Sequence, residues 1–258
     1  MWLVDYPRLL FLALFLIFAI ALEIGFRLAS IRNANVDADL HEQAVGVRDG
    51  VVVLLSLLLG FTLAMALPRF DQRRELIVDE ANAIGTSTLR AQTLPEPART
   101  VSIELLREYV GARIDFSDDS ASAERLNAAT ERAHQIQASL WQLAVDAAAK
   151  NPTPITSIYI TSLNEMIDLD SKRTAAVENR VPRPIWIMLF LIGILACLSF
   201  GFSLRRRFLL SMIVAPLMIS IVMALIADLD TPNRGLIRVS QESMLRLQSD
   251  MQATPPKH

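Results

Sequence analysis

Few residues in this chain are of the kinds that do chemistry, and their spacing limits what they could do. In Asp228-Leu-Asp-Thr-Pro-Asn233, Asp228 and Asp230 place two carboxylates beside loop carbonyls, the oxygen donors that a hard cation needs. Both are candidate metal ligands, although a calcium site usually takes more oxygens than this stretch offers. A second acidic group is Asn164-Glu-Met-Ile-Asp-Leu-Asp170. Glu165 and Asp168 share a helical face there, but Lys172 and Arg173 follow at once, so an ion-paired surface is expected. His41, His134 and His258 are scattered, and Cys197 is the single cysteine. That leaves no disulfide framework and no zinc motif within one chain. No Ser-His-Asp, His-Glu-x-x-His or phosphate-loop pattern occurs. Neither an enzyme nor a cofactor is expected.

The other charge cluster is basic. Arg69, Arg73 and Arg74 are followed by Glu75, Asp79 and Glu80 on one helical stretch. Repeated around an axis, such residues would form charged rings at a pore mouth. In a single copy they would be a cytoplasmic anchor followed by surface ion pairs.

Composition says what must position these residues. The 258-residue chain is 52% hydrophobic with a mean hydropathy of +0.36, the balance of a membrane protein. A net charge of -2 argues against nucleic acid as a partner. Four apolar runs stand out: about 9–26, 51–67, 185–204 and 208–227. Lipid leaves unpaired backbone groups without partners, so each run should be a helix. Ala19-Ile20-Ala21 resembles a signal-peptide cleavage pattern, but Asp5 nearly cancels Arg8 and the run continues beyond it. A retained span is therefore expected. Glu23 and Arg27, four apart, should pair at its end.

Orientation follows from the basic residues near the spans. With both termini inside, eleven lie inside (Arg8, Arg69, Arg73, Arg74, Lys172, Arg173, Arg180, Arg183, Arg234, Arg238, Arg246) and six outside (Arg27, Arg32, Arg48 and Arg205 to Arg207). The Arg205–Arg207 triplet in a short hairpin pulls the other way.

Between spans two and three, turn signals fall at Pro95-Glu-Pro97, Ser117-Asp-Asp-Ser120 and Asn151-Pro-Thr-Pro154. The stretches between them have helical periodicity. Ile77, Ala81, Ile84 and Thr88 form one face, as do Leu126, Ala129, Ala133, Ile136, Leu140, Leu143 and Ala147. Tyr159, Leu163, Met166 and Asp170 form another. The expected protein is all-α. Residues 1–67 hold two spans, 68–184 a helical cytoplasmic insert and 185–230 two more spans. A C-terminal helix and disordered tail fill 231–258. Pro68 is placed for a kink at the end of the second span.

The second span carries two stripes. Ser56, Gly60 and Ala64 recur every four residues, small enough for helix backbones to approach closely in lipid. About 100° around the helix, Val53, Leu57 and Phe61 recur with the same spacing, and all three are bulky. They would face lipid in a single copy. In a ring of copies they would form a hydrophobic constriction that gates by dewetting.

The run from Leu58-Leu-Gly-Phe61 to Arg69-Phe70-Asp71 resembles the pore helix of bestrophin channels, where an arginine and then aromatics follow the Leu-Gly-Phe. Three stretches resemble a bacterial membrane family of unknown function described as bestrophin-like. They are Arg74–Gly85, Leu163–Asp168 and Asp228–Gln241, and this similarity covers most of the chain. The resemblance implies a homo-oligomeric, pentameric channel for small inorganic ions in the bacterial inner membrane, with four spans and cytoplasmic termini. It also implies a neck at Phe61, Leu57 and Val53. The sequence departs from bestrophins in keeping only Asp228 and Asp230 of the acidic run that clasps calcium, and in having Asp71 in place of an aromatic residue. The sign of the ion stays open. A non-conducting membrane scaffold or sensor, using its helical insert for protein interaction, is the alternative.

Overall fold

The computed structural model describes residues 6–32, 38–116, 123–204, 206–231 and 235–253. The expected break at Ser117–Ser120, Arg205, Asn233, Arg234 and the Pro255-Pro256 tail lie outside the described residues. Every regular element among those described is helical. In chain order they are α1 (Pro7–Arg32), α2 (Ala38–Ala91), α3 (Ala98–Asp115), α4 (Ala123–Lys150), α5 (Pro154–Glu178), α6 (Arg183–Ser203), α7 (Leu209–Asp230) and α8 (Glu242–Ala253). Four helical stretches are long and apolar enough to cross a membrane, in α1, α2, α6 and α7.

Two of these helices outrun the apolar segments that announce them. In α2, Pro68 sits inside one helix of 54 residues. The apolar run marks lipid depth, whereas the helix continues because the charged residues after it keep helical propensity. In α1, Glu23 and Arg27 carry the helix past the apolar run with an i,i+4 ion pair of 2.7 Å.

The chain divides into two compact units. One comprises residues 1–70 and 180–238. Its core is written in α1, where Leu10, Leu14, Phe18 and Leu22 recur every four residues and are all buried. Trp186, Leu189 and Cys197 of α6, Met223 and Ile226 of α7, and Leu55 and Leu59 of α2 complete it. Small residues set how closely α1 meets α6. A Cβ on Gly201 would overlap the carbonyl oxygen of Leu22 and lie 2.9 Å from the amide nitrogen of Phe26. A Cβ on Gly25 would overlap the carbonyl of Leu198 in the same way, and one on Gly193 would lie 2.8 Å from the Phe18 ring. The two backbones touch because neither has a side chain there.

The second unit comprises residues 71–179 and 239–258. The Ile77, Ala81, Ile84 and Thr88 face is buried, as are Ala129, Ala133, Ile136, Leu140 and Ala147 of α4 and Tyr159, Leu163 and Met166 of α5. Breaks between helices have local causes. Thr153 caps α5 by accepting from the Thr156 amide at 3.4 Å, while its own amide donates to the Thr156 hydroxyl at 3.2 Å, with Pro154 in the first turn. Helix α8 returns to this unit, burying Met244 and Met251, and the Met251 carbonyl accepts from Arg107 Nε at 3.1 Å.

Through this unit's apolar interior runs a charged network. Glu80 is 0% exposed and takes Arg113 Nε on one oxygen and Arg173 Nη1 on the other, both at 2.5 Å. Arg113 Nη1 reaches Asp170 at 2.7 Å, and Gln137 Nε2 donates to Asp170 at 2.8 Å and to the Tyr109 hydroxyl at 3.0 Å. The Phe116 ring lies 4.8 Å from the Arg113 guanidinium. Two carboxylates thus balance two guanidiniums, which is the condition for burying either. Burial works against the Arg113 charge, but the Glu80 and Asp170 carboxylates outweigh it and raise its pKa. Burial, joined by Glu80, pushes the Tyr109 phenol far above its ordinary range, so it stays protonated. Glu80 and Asp170 are therefore interior residues, not the surface partners their neighbours in sequence suggest.

Two outcomes follow. Gly201→Leu should destabilise the solubilised protein by about 1–3 kcal/mol or more through overpacking, whereas Gly60→Leu should not disturb the fold of one chain. Melting in detergent, followed by tryptophan fluorescence, compares the two; equal effects would refute the close crossing. Glu80→Gln leaves two buried guanidiniums facing one carboxylate and should cost about 3–5 kcal/mol, against about 0.5 kcal/mol or less for exposed Glu75→Gln. Denaturant titration of the full chain measures both. Similar midpoints for the two variants would remove the network from the fold's support.

Candidate functional site

The apolar stretch of α2 has one face turned into its own unit and the rest turned out. Leu55, Leu59, Thr62 and Ala66 are buried. Val53, Leu57 and Phe61 are 68%, 51% and 61% exposed. Ser56, Gly60 and Ala64 are exposed too, and a Cβ on Gly60 would meet nothing within 4 Å. Both stripes stay exposed among the described residues. The Ser56 hydroxyl donates to the Val52 carbonyl at 2.8 Å, and Thr62 does the same to Leu58 at 2.7 Å. Their hydrogens are spent inside the helix, so neither hydroxyl has a donor left for a passing anion or lipid.

The basic residues beyond it do not share one environment. Arg74 is exposed and Arg69 half-buried, while Arg73 is 3% exposed. Only Arg69 and Arg74 present surface. Among the acidic residues that follow, Glu75 and Asp79 are exposed and Glu80 belongs to the buried network.

Asp228 and Asp230 are tied to main-chain amides. Asp228 accepts from the Leu236 amide at 2.6 Å and from the Ile237 amide at 2.8 Å, one on each oxygen. A Cβ on Gly235 would lie 3.0 Å from the Asp228 carboxyl carbon, so this fold-back needs glycine. Asp230 accepts from the Val181 amide at 2.9 Å, fastening the end of α7 to the start of the α6 segment. Both carboxylates are buried, and each acts as a latch for backbone. Among the described residues no three His, Cys, Asp or Glu side chains gather as metal ligands.

The other acidic trio is split. Glu165 and Asp168 line an open cleft of about 580 Å³ with Asp79, Asn82, Thr86 and Lys172, and Asp170 points inward to Arg113.

Sequence reasoning missed two features. One is the buried network, whose members come from four helices and share no periodicity. The other is the packing of α1 on α6, for which a signal was present. Ala21, Gly25 and Ala29 recur every four residues, as do Gly193, Cys197 and Gly201, and all six are buried. These are the small-residue stripes that a single chain uses.

A family model described as the bestrophin-like domain matches residues 12–244. No curated protein matches the chain. Among solved structures, a bacterial bestrophin homologue from Klebsiella pneumoniae superposes with a TM-score of 0.67 at 16% identity, covering 96% of this chain and 98% of that one. A point variant of the Klebsiella protein gives 0.67 at 15% identity, over 96% and 99%. A crystal structure of a membrane protein carrying a leucine-to-alanine substitution gives 0.70 at 13%, over 94% and 99%. At these identities the structures speak for a shared fold, and the family model spans nine-tenths of the sequence: the chain belongs to the bestrophin-like family.

Proposed function

We propose that this protein is an oligomeric ion channel of the bacterial inner membrane, with α2 lining the pore. Copies associate around α2, five in number if they assemble as the resemblance to bestrophins implies. The Ser56, Gly60 and Ala64 stripe packs helix on helix, while Val53, Leu57 and Phe61 form the neck. The observation that carries this reading is the pair of adjacent stripes on α2 that stay exposed among the described residues. A close-packing stripe about 100° from a bulky apolar one is what a helix in a ring requires, since one face meets a neighbour and the next meets the axis.

Val53 to Phe61 rises about 12 Å and turns about 80° beyond two full turns, so one face stays toward an axis along that length. An ion entering the neck would lose hydration with no ligand to replace it, and the neck is closed to ions while dry. Arg69 and Arg74, half-buried and exposed, are the mouth residues an ion would meet next; Arg73, inside its own chain, would act through packing. Residues 68–184 and both termini are cytoplasmic in this reading, following the distribution of arginine and lysine.

Alanine at Val53, Leu57 and Phe61 together should raise K⁺ or Cl⁻ flux in liposomes about tenfold or more over the wild type while leaving particle mass unchanged, because the neck widens and wets. If neither protein passes either ion above empty vesicles although light scattering finds an intact oligomer, the scaffold reading stands instead. A wild-type particle of one chain's mass would end the channel reading outright.

Orientation has its own check. In a Cys197→Ala background, a membrane-impermeant maleimide applied to intact spheroplasts should label Gln43→Cys and miss Ser139→Cys, both exposed positions. The reverse pattern would invert the topology.

A further inference from the structure

We propose that Arg27 and Arg207, gathered on Glu23, form a recognition site for the phosphate headgroup of an anionic phospholipid. Near the close crossing of α1 and α6 at Gly25 and Gly201, Arg207, just before α7, lies over Glu23 and Phe26 of α1. Arg207 lies there with its guanidinium 5.1 Å from the centre of the Phe26 ring. Its Nη2 donates to Glu23 Oε1 at 2.7 Å, and Arg27 Nε donates to the same oxygen at 2.7 Å. Two guanidiniums are thereby held against one carboxylate oxygen.

One arginine would neutralise Glu23. The second is surplus charge, and Arg206, also exposed, adds more. Both tethered guanidiniums remain open, Arg27 at 68% and Arg207 at 58% side-chain exposure. Their other nitrogens make no hydrogen bond to a protein group among the described residues. A phosphate is the anion whose geometry fits paired guanidinium forks. A surface ion pair serving stability alone would gain little from a third partner.

Position selects the lipid as the source of that phosphate. The uncharged run of α1 ends at Leu22, so Glu23 stands where hydrocarbon gives way to headgroups. Immediately after Arg207, Phe208, Leu209 and Leu210 are 61%, 74% and 61% exposed, an apolar surface for acyl chains beside the headgroup site. Cation and apolar surface next to each other match the two halves of an anionic phospholipid. This inference rests on the membrane-spanning fold and not on conduction, so it stands or falls separately from the channel reading.

The test uses the full chain, delipidated in detergent, titrated with phosphatidylglycerol or phosphatidylcholine and read by native mass spectrometry. Wild type should bind phosphatidylglycerol about tenfold more tightly than phosphatidylcholine, and the Arg27→Gln/Arg207→Gln protein should bind the two within about twofold. Inorganic phosphate at millimolar concentration should not displace the lipid. Should the double variant fail to fold, Arg27→Gln alone, which leaves Arg207 on Glu23, should lose about threefold or more of the preference. An undiminished preference in whichever variant folds would overturn the proposal. Displacement by inorganic phosphate would overturn the lipid assignment. Absence of lipid binding, with Arg27→Cys crosslinking to a second copy, would overturn it in favour of a subunit contact.

Discussion

A backbone amide in hydrocarbon has no partner except a carbonyl of its own helix, and most of this architecture follows from that constraint. It makes each apolar run a helix and pushes polar chemistry to the run's ends. The effect is visible in the side chains as well. Ser56, Thr62 and Ser220 return their hydroxyl hydrogens to carbonyls four residues back in their own helices. Glu23 marks the end of the apolar run of α1 and is met by two arginines. Even Pro68, which lacks an amide hydrogen, is absorbed into α2 with no break in the helix.

The second unit solves a different problem. Its helices carry ordinary soluble-type faces, yet Glu80, Arg113, Asp170 and Arg173 lie in the interior. Desolvating four charges costs free energy that an apolar core would not, so stability alone is a weak reason for them. Geometry is a stronger one. A guanidinium binds a carboxylate in a few directions, whereas apolar contacts tolerate sliding and rotation. Glu80 on α2 joined to Arg113 on α3 and Arg173 on α5 fixes the register of three helices at once, and Gln137 adds α4 through Asp170. The alanines that line α4 allow close approach without specifying a register, and the network supplies what they lack.

What could be read from the sequence divides along the same line. Spans and buried faces are periodic, and periodicity is local: Ile77 to Thr88 and Leu126 to Ala147 show their buried sides in the spacing alone. Partners across the fold are not periodic. Asp170 closes a helical apolar face, a position that invites burial, but its neighbours Lys172 and Arg173 suggest a surface pair. Its partner Arg113 lies 57 positions away. Asp228 and Asp230 are candidate cation ligands by residue type, although the stretch offers fewer oxygens than a calcium site usually takes. Their use as amide acceptors depends on the fold-back at Gly235 and on Val181, which no local pattern announces. The small-residue stripes show a subtler limit. Ser56-Gly60-Ala64 and Gly193-Cys197-Gly201 have the same spacing, yet among the described residues the first is exposed and the second buried.

That contrast bears on how an exposed apolar face should be interpreted in a membrane helix. Leu9, Leu12, Leu16 and Ile20 of α1 are 51–59% exposed, values close to those of Val53, Leu57 and Phe61. Exposure therefore does not separate a face that meets lipid from one that lines a pore. What differs is the surroundings. The exposed face of α1 is bulky, and the small-residue stripe of that helix, Ala21, Gly25 and Ala29, is buried, with Gly25 against Leu198 of α6. On α2 the unused small stripe adjoins the bulky one. Lipid chains are flexible and gain nothing from a groove one methyl deep, whereas a second helix gains a close backbone approach along its length. In the proposed ring of copies, that open groove is where a second α2 would seat, and the adjacent bulky stripe would then turn toward the axis.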